Sequence, residues 1–161
     1  MGTEALEDLE AIRQLKYRYL RAVDTKDWAL LADTLTEDCV ARYGGGVKVY
    51  EGRDAILDFL RESLGRDAVH TSHRCSHPEI EVDGDSATGT WALEDRVIDT
   101  EFNITLRGAA FYSDRYRLTD GGWRIAETGY RRTFEEIEPR RADTTLTASW
   151  WTTDGKTTLG Y

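Results

Sequence analysis

Two turn signals in the second half of the chain leave little choice of architecture. Asp83-Gly84-Asp85 and Asp120-Gly121-Gly122 each separate two long runs of β character, and Asp-Gly between such runs is a strong hairpin signal. The runs cover residues 69–82, 86 to about 98, about 105 to 118, and 123–134. Four successive strands make an antiparallel meander, and one face of such a sheet needs an apolar cover. The first half of the chain supplies that cover. Leu6, Leu9, Ile12, Leu15, Tyr19 and Val23 recur every three or four residues, which is one face of an amphipathic helix over residues 4 to about 23. Asp27 is placed to cap a short helix over 28–35. Two short alternating runs, 39–43 and 47–50, flank Gly44-Gly45-Gly46 as a hairpin. Gly52-Arg53-Asp54-Ala55-Ile56 opens a third helix that runs to about Leu64, with Ile56, Leu57, Phe59, Leu60 and Leu64 inward. The pattern predicts an α+β domain with three N-terminal helices on one face of a sheet.

Length and charge narrow the partners. A chain of 161 residues is long enough for one domain with a substantial core. A formal net charge of -9 argues against a nucleic-acid partner, because phosphate binding needs clustered Lys and Arg. No run reaches the apolar length of a membrane span, and residues 1–10 are acidic where a secretory leader would be basic and then apolar. The expectation is a cytoplasmic protein with neither membrane nor nucleic acid as partner. Two cysteines, Cys39 and Cys75, are too few for a disulfide framework and read as small core residues. Residues 1–134 form the predicted domain. Residues 135–161 lack clear periodicity yet carry Trp150, Trp151, Leu159 and Tyr161. Large aromatics without a core of their own dock on something, here the mouth of a pocket or a neighbouring subunit.

Three residues carry candidate chemistry. Asp24 stands where the first helix stops, a poor place for a carboxylate with respect to the helix dipole, and a local rule broken in this way points to function. It reads equally as a helix-end carboxylate that caps or meets a lysine. His73, in the first long strand, is either a general base or a hydrogen-bonded strand histidine. Tyr19 is either a phenol donor or a core aromatic. His70, His73 and His77 raise the question of a metal, but no carboxylate or thiol stands at a convincing ligand spacing, so no metal is expected. In an unbroken strand His73 and His77 would share a face and His70 would point away. The glycine triplet lacks the following helix and Lys of a phosphate loop and reads as a turn.

The order of elements, with Ile12 to Trp28, Tyr50-Glu51-Gly52-Arg53-Asp54-Ala55-Ile56, Pro78 to Ala87 and Asp120-Gly121-Gly122-Trp123-Arg124-Ile125, resembles the SnoaL-like branch of the nuclear transport factor 2 superfamily. The resemblance covers roughly residues 8–134. It implies a cone-shaped fold in which the three helices pack on a curved, mixed, mostly antiparallel sheet that encloses a pocket. The nearest likeness is to the dehydratase-type members, among them scytalone dehydratase, bile-acid 7α-dehydratase and hexachlorocyclohexane dehydrochlorinase. In those an Asp ending the first helix pairs with a His on the first long strand, and Asp24 and His73 match the two positions. A polar residue five before that Asp is functional there, and Tyr19 falls on it.

The implied activity is a cofactor-independent elimination on a small hydrophobic cyclic molecule, polyketide- or steroid-like. The same dyad would also serve an isomerase or a polyketide cyclase, and the fold also occurs in non-catalytic binding or assembly domains. Trp91, Phe111, Tyr112 and Tyr116 are candidate cavity walls, though core packing accounts for such residues too. Relatives often carry an Arg soon after the Trp-Arg-Ile motif, where this chain has Glu127-Thr128-Gly129; Arg131 is the candidate substitute, with Arg132 beside it. A homodimer or homotrimer through the outer sheet face is the expected assembly.

Overall fold

The computed structural model describes residues 3–160; Tyr161, one of the tail aromatics, lies outside them. Helices α1 (Thr3–Thr25) and α2 (Trp28–Thr34) are followed by strand β1 (Leu35–Tyr43), a 3₁₀ turn (Gly44–Gly46), β2 (Lys48–Glu51) and α3 (Arg53–Leu64). Four long strands complete the chain: β3 (Val69–Asp83), β4 (Ser86–Asp99), β5 (Ile104–Thr119) and β6 (Gly122–Pro139). The last strand therefore continues past Phe134, the boundary predicted for the domain. Its extra residues pair in register with the start of β5, from Glu135 opposite Gly108 to Pro139 opposite Ile104.

The end of α1 is fixed by its own backbone. Lys26 adopts φ 54, so the Asp27 N–H reaches back to the Ala22 carbonyl at 2.9 Å and the Lys26 N–H to the Val23 carbonyl at 3.3 Å. That pair of bonds closes a helix with a left-handed residue just past its end. Asp27 then caps α2, its carboxylate accepting from the Leu30 N–H at 3.0 Å. Asp24 is thereby held in the last turn of α1.

The six strands form one sheet in the order β2-β1-β6-β5-β4-β3. Every pairing is antiparallel except β1 with β6, which is parallel. Register shifts interrupt β3 between Ser76 and Glu79, and β6 at two places, where Ala126 and Thr133 are extra relative to β5. Extra residues of this kind bend a strand and increase its twist, and the sheet curves around the helices. The core lies in that concavity: Ile12, Leu15 and Tyr19 of α1 and Ile56 and Leu60 of α3 are buried with Leu93, Tyr112 and Ile125 of the sheet. Among the described residues no helix is long and apolar enough to cross a membrane.

The tail docks on its own chain. The Trp151 indole lies parallel to the His70 ring at 5.2 Å, with the Lys26 ammonium 3.5 Å from its centroid. Its N–H donates to the Asp67 carbonyl at 2.9 Å. Trp150 is exposed.

Candidate active site

α1 and β3 cross so that the end of the helix meets the strand's third to fifth residues. Asp24 accepts three hydrogen bonds there: from the Thr71 hydroxyl at 2.8 Å, from the His73 backbone N–H at 2.9 Å, and at the His73 Nδ1 position at 2.6 Å. One residue thus fixes the carboxylate twice, once through its backbone and once through its ring. An ionised carboxylate only accepts, so Nδ1 carries the hydrogen and Nε2 is left as the ring's basic lone pair. The two side chains are mostly buried, 11% and 24% exposed for His73 and Asp24. Asp24 is reached from an outer hollow that it shares with Arg21 and Arg74, and His73 stands between that hollow and the interior.

On the inner side His73 is part of the wall of a cavity of about 260 Å³ between α1, α3 and the sheet. Leu20, Val23, Phe59, Leu60, Val97 and Leu106 make most of that wall apolar. Its polar atoms are few, and four are phenols, from Tyr19, Tyr43, Tyr112 and Tyr130. The Tyr19 and Tyr43 hydroxyls lie 3.3 Å apart. One donates to the other, so the accepting phenol keeps a free O–H for a third oxygen. Burial, reinforced by the neighbouring phenols, pushes Tyr19 and Tyr112 well above the usual tyrosine range and raises Tyr43 as well. These groups remain hydrogen-bond donors.

Besides His73 and the Ser63 hydroxyl, the remaining polar lining is ionic. Asp95 of β4 and Arg132 of β6 meet side-on, Nη1 to Oδ1 at 2.5 Å and Nη2 to Oδ2 at 2.9 Å. Beneath the phenols lies a second, fully enclosed ion pair, with Lys16 Nζ 2.7 Å from Asp114 Oδ2 and both side chains at 0% exposure. The ammonium also lies 3.4 Å from the Tyr112 ring centroid. Asp114 accepts from Tyr116 and Thr128, and the Tyr116 oxygen accepts from Trp91 Nε1, each at 2.8 Å. This network forms the floor under the cavity.

Strand parity decides which predicted wall residues reach the cavity. Tyr112 does. Phe111, its neighbour on β5, points to the outer face and is 51% exposed. Arg131 lies on that outer face of β6, while Tyr130 and Arg132 on either side line the cavity. The expectation for Phe111 and Arg131 as wall residues is corrected on that ground. Trp91 and Tyr116 face inward but are tied into the floor and line no part of this cavity. His77 sits in the irregularity of β3 at φ 51 and bonds Ser76, so it does not share the face of His73. His70 is engaged by Trp151.

Sequence reasoning missed Tyr43, Tyr130, Lys16 with Asp114, and the Asp95–Arg132 pair. Signals existed for some of them. Lys16 follows Ile12 by four and precedes Tyr19 by three, on the apolar face of α1, and Asp114 alternates with Tyr112 and Tyr116 on β5. A charge at an apolar position on each of two elements implies a buried pair. Nothing in the sequence announces that Arg132 crosses to Asp95.

Comparison with known proteins agrees with this architecture. A family model described as the SnoaL-like domain matches residues 4–129. A protein of unknown function from Mycobacterium tuberculosis is 30% identical, with 82% of this chain and 76% of that one covered and a TM-score of 0.71. A protein assigned as a scytalone dehydratase from Novosphingobium aromaticivorans superposes with a TM-score of 0.77 at 22% identity, over 91% of this chain and 100% of that one. Hexachlorocyclohexane dehydrochlorinase from Novosphingobium barchaimii gives 0.75 at 22% identity, over 88% and 96%.

Proposed function

The chain belongs to the SnoaL-like family, and from that premise we propose that it is a cofactor-independent lyase, with His73 as general base and Asp24 as the residue that orients it. The observation that carries this reading is the triple anchoring of Asp24 on Thr71 and His73, which leaves Nε2 free beside an apolar cavity. A carboxylate on Nδ1 stabilises the imidazolium that forms when the ring takes a proton. In a poorly solvated site that stabilisation is stronger than in water.

The substrate class follows from the lining. Aliphatic and aromatic walls with four phenols suit a small, uncharged cyclic molecule bearing a carbonyl and a hydroxyl one carbon beyond the acidic C–H. His73 takes the proton, the C–H electron pair becomes the new C=C bond, and the C–O bond breaks with its electron pair leaving on the oxygen. Tyr19, backed by Tyr43, donates to the carbonyl oxygen while negative charge collects there. The imidazolium delivers its proton to that leaving oxygen, which departs as water and leaves the ring neutral for the next turnover. If no leaving group is present, the same abstraction followed by reprotonation elsewhere is an isomerisation.

The test is a panel of cyclic β-hydroxy ketones incubated with the chain and read by mass spectrometry for loss of water. His73→Ala should abolish turnover and Asp24→Asn should lower it by at least about 100-fold, with far-UV circular dichroism unchanged in both. Unchanged product formation in both variants would refute the assignment.

A further inference from the structure

We propose that Arg132 is a positioning residue for the dyad: by clamping Asp95 it leaves Asp24 as the only carboxylate partner of the His73 ring. The inference rests on the dyad reading above and concerns a part of the site that reading does not use.

The geometry begins with the β3–β4 ladder, where Asp95 is the residue directly opposite His73. Directly paired residues on one face of an antiparallel pair have Cβ atoms about 4.5–5.5 Å apart. Both side chains line the same cavity. A second carboxylate therefore stands on the strand beside the imidazole and faces the same cavity. Left to itself it would take the remaining ring nitrogen. An imidazole with a carboxylate at each nitrogen donates from both, which is the protonated form, and a protonated ring has no lone pair with which to remove a proton.

Arg132 prevents that competition. Its two terminal nitrogens occupy both oxygens of Asp95 at 2.5 and 2.9 Å, and Asp95 keeps only 4% of its side-chain surface exposed. The same guanidinium packs 4.8 Å from the Tyr130 ring centroid and has Glu135 at 3.0 Å from its Nε. The chain makes room for it. A Cβ at Gly108 would stand 2.7 Å from Arg132 Nη1 and 2.9 Å from the Phe134 carbonyl oxygen, so a side chain there would push the guanidinium off its site.

The other charged or titratable groups around His73 do not supply this balance. α1 contributes Asp24 and Tyr19, with Tyr17 and Arg21 on the outer hollow; β3 itself contributes Arg74 and Cys75. β1 and β5 present only the phenols of Tyr43 and Tyr112, and the α3 wall residues carry no charge. From β4, Glu94 opens to the outer hollow, and from β6 Glu135 and Tyr130 already contact Arg132. Arg132 is the cavity's cation, and Asp95 is the anion it holds.

The test is the NMR titration of the His73 ring in the full chain without substrate, so that its outcome does not depend on turnover. Arg132→Gln should raise the His73 midpoint by about one pH unit or more relative to the unaltered chain, the effect of an opposite charge at this range. Asp95→Asn, which leaves the guanidinium uncompensated, should lower it. The double variant, lacking both charges, should return close to the starting midpoint. A midpoint unmoved in folded Arg132→Gln overturns the proposal. If that variant does not fold, an unmoved midpoint in Asp95→Asn overturns it equally. Failure of the dyad reading would show elsewhere, as retained turnover in His73→Ala, and leaves these shifts untouched.

Discussion

Asp24 sits at the end of a helix where the backbone already presents unpaired carbonyls, and the last turn of α1 carries no basic side chain to offset it. The carboxylate is satisfied instead by turning away from its own helix to three donors on β3. Its position is unfavourable for the helix and favourable for the site, which is why the sequence rule it breaks was informative. Tyr19 lies five residues before it, facing the cavity beside Tyr43. If Tyr19 donates to an oxygen that gains charge in the transition state, Tyr19→Phe removes one donor and leaves the packing nearly unchanged. The expected effect is a fall in kcat of about 100-fold, the scale of losing one such donor, with KM little altered. Steady-state kinetics check it, and an unchanged kcat would return Tyr19 to the role of a core aromatic.

At the scale of elements, the tail and the α1–α2 turn support each other. Lys26 holds a left-handed conformation that a residue with a Cβ adopts at a cost of about 1–2 kcal/mol. Its ammonium is engaged by the Arg66 carbonyl and by the face of Trp151. Trp151 in turn stacks on His70, next to the Thr71 that anchors Asp24. Trp151→Ala should therefore lower stability by about 1–2 kcal/mol through the lost aromatic and cation contacts. Urea denaturation checks this, and a midpoint unchanged from the unaltered chain would mean the docked tail contributes nothing.

Burial, with Lys26 and Arg140 nearby, holds His70 below its usual range, so the folded state binds fewer protons there than the unfolded chain. The contact is weakened as pH falls through the ordinary histidine range. Of the tail residues from which docking was expected, Trp151 makes such contacts while Trp150 stays exposed. The sequence did not indicate where, because the docking groups are the Asp67 carbonyl, the Lys26 ammonium and the His70 ring, contributed by the turn before β3, the α1–α2 turn and β3 itself.

For the molecule as a whole, helix periodicity and Asp-Gly turns made the architecture legible, since both are local signals that survive in any context. Asp24 and His73 were legible for a different reason: each sits at a position that the resemblance marks. The irregularity at His77 and the crossing of Arg132 to Asp95 were not. Both depend on bulges and register, which a list of alternating residues does not encode. The buried phenols have a global consequence. Tyr19, Tyr43 and Tyr112 titrate higher when folded than the unfolded value near 10.0. The folded state therefore binds more protons above that pH, and stability is full below about pH 10 and falls as pH rises beyond it. Thermal melts between pH 8 and about 12 should show Tm dropping only above about 10, and a flat profile would contradict the buried-phenol cavity.

The central claim is that His73 removes a proton from carbon, and a label on that proton tests it most directly. A cyclic β-hydroxy ketone that the unaltered chain converts is prepared with deuterium at the carbon between the two oxygen-bearing carbons. The account predicts release of the deuterium to water with a primary isotope effect in the unaltered chain, and retention of the label in folded His73→Ala. Release at an equal rate in His73→Ala, or no conversion of any member of the panel by the unaltered chain, would contradict it.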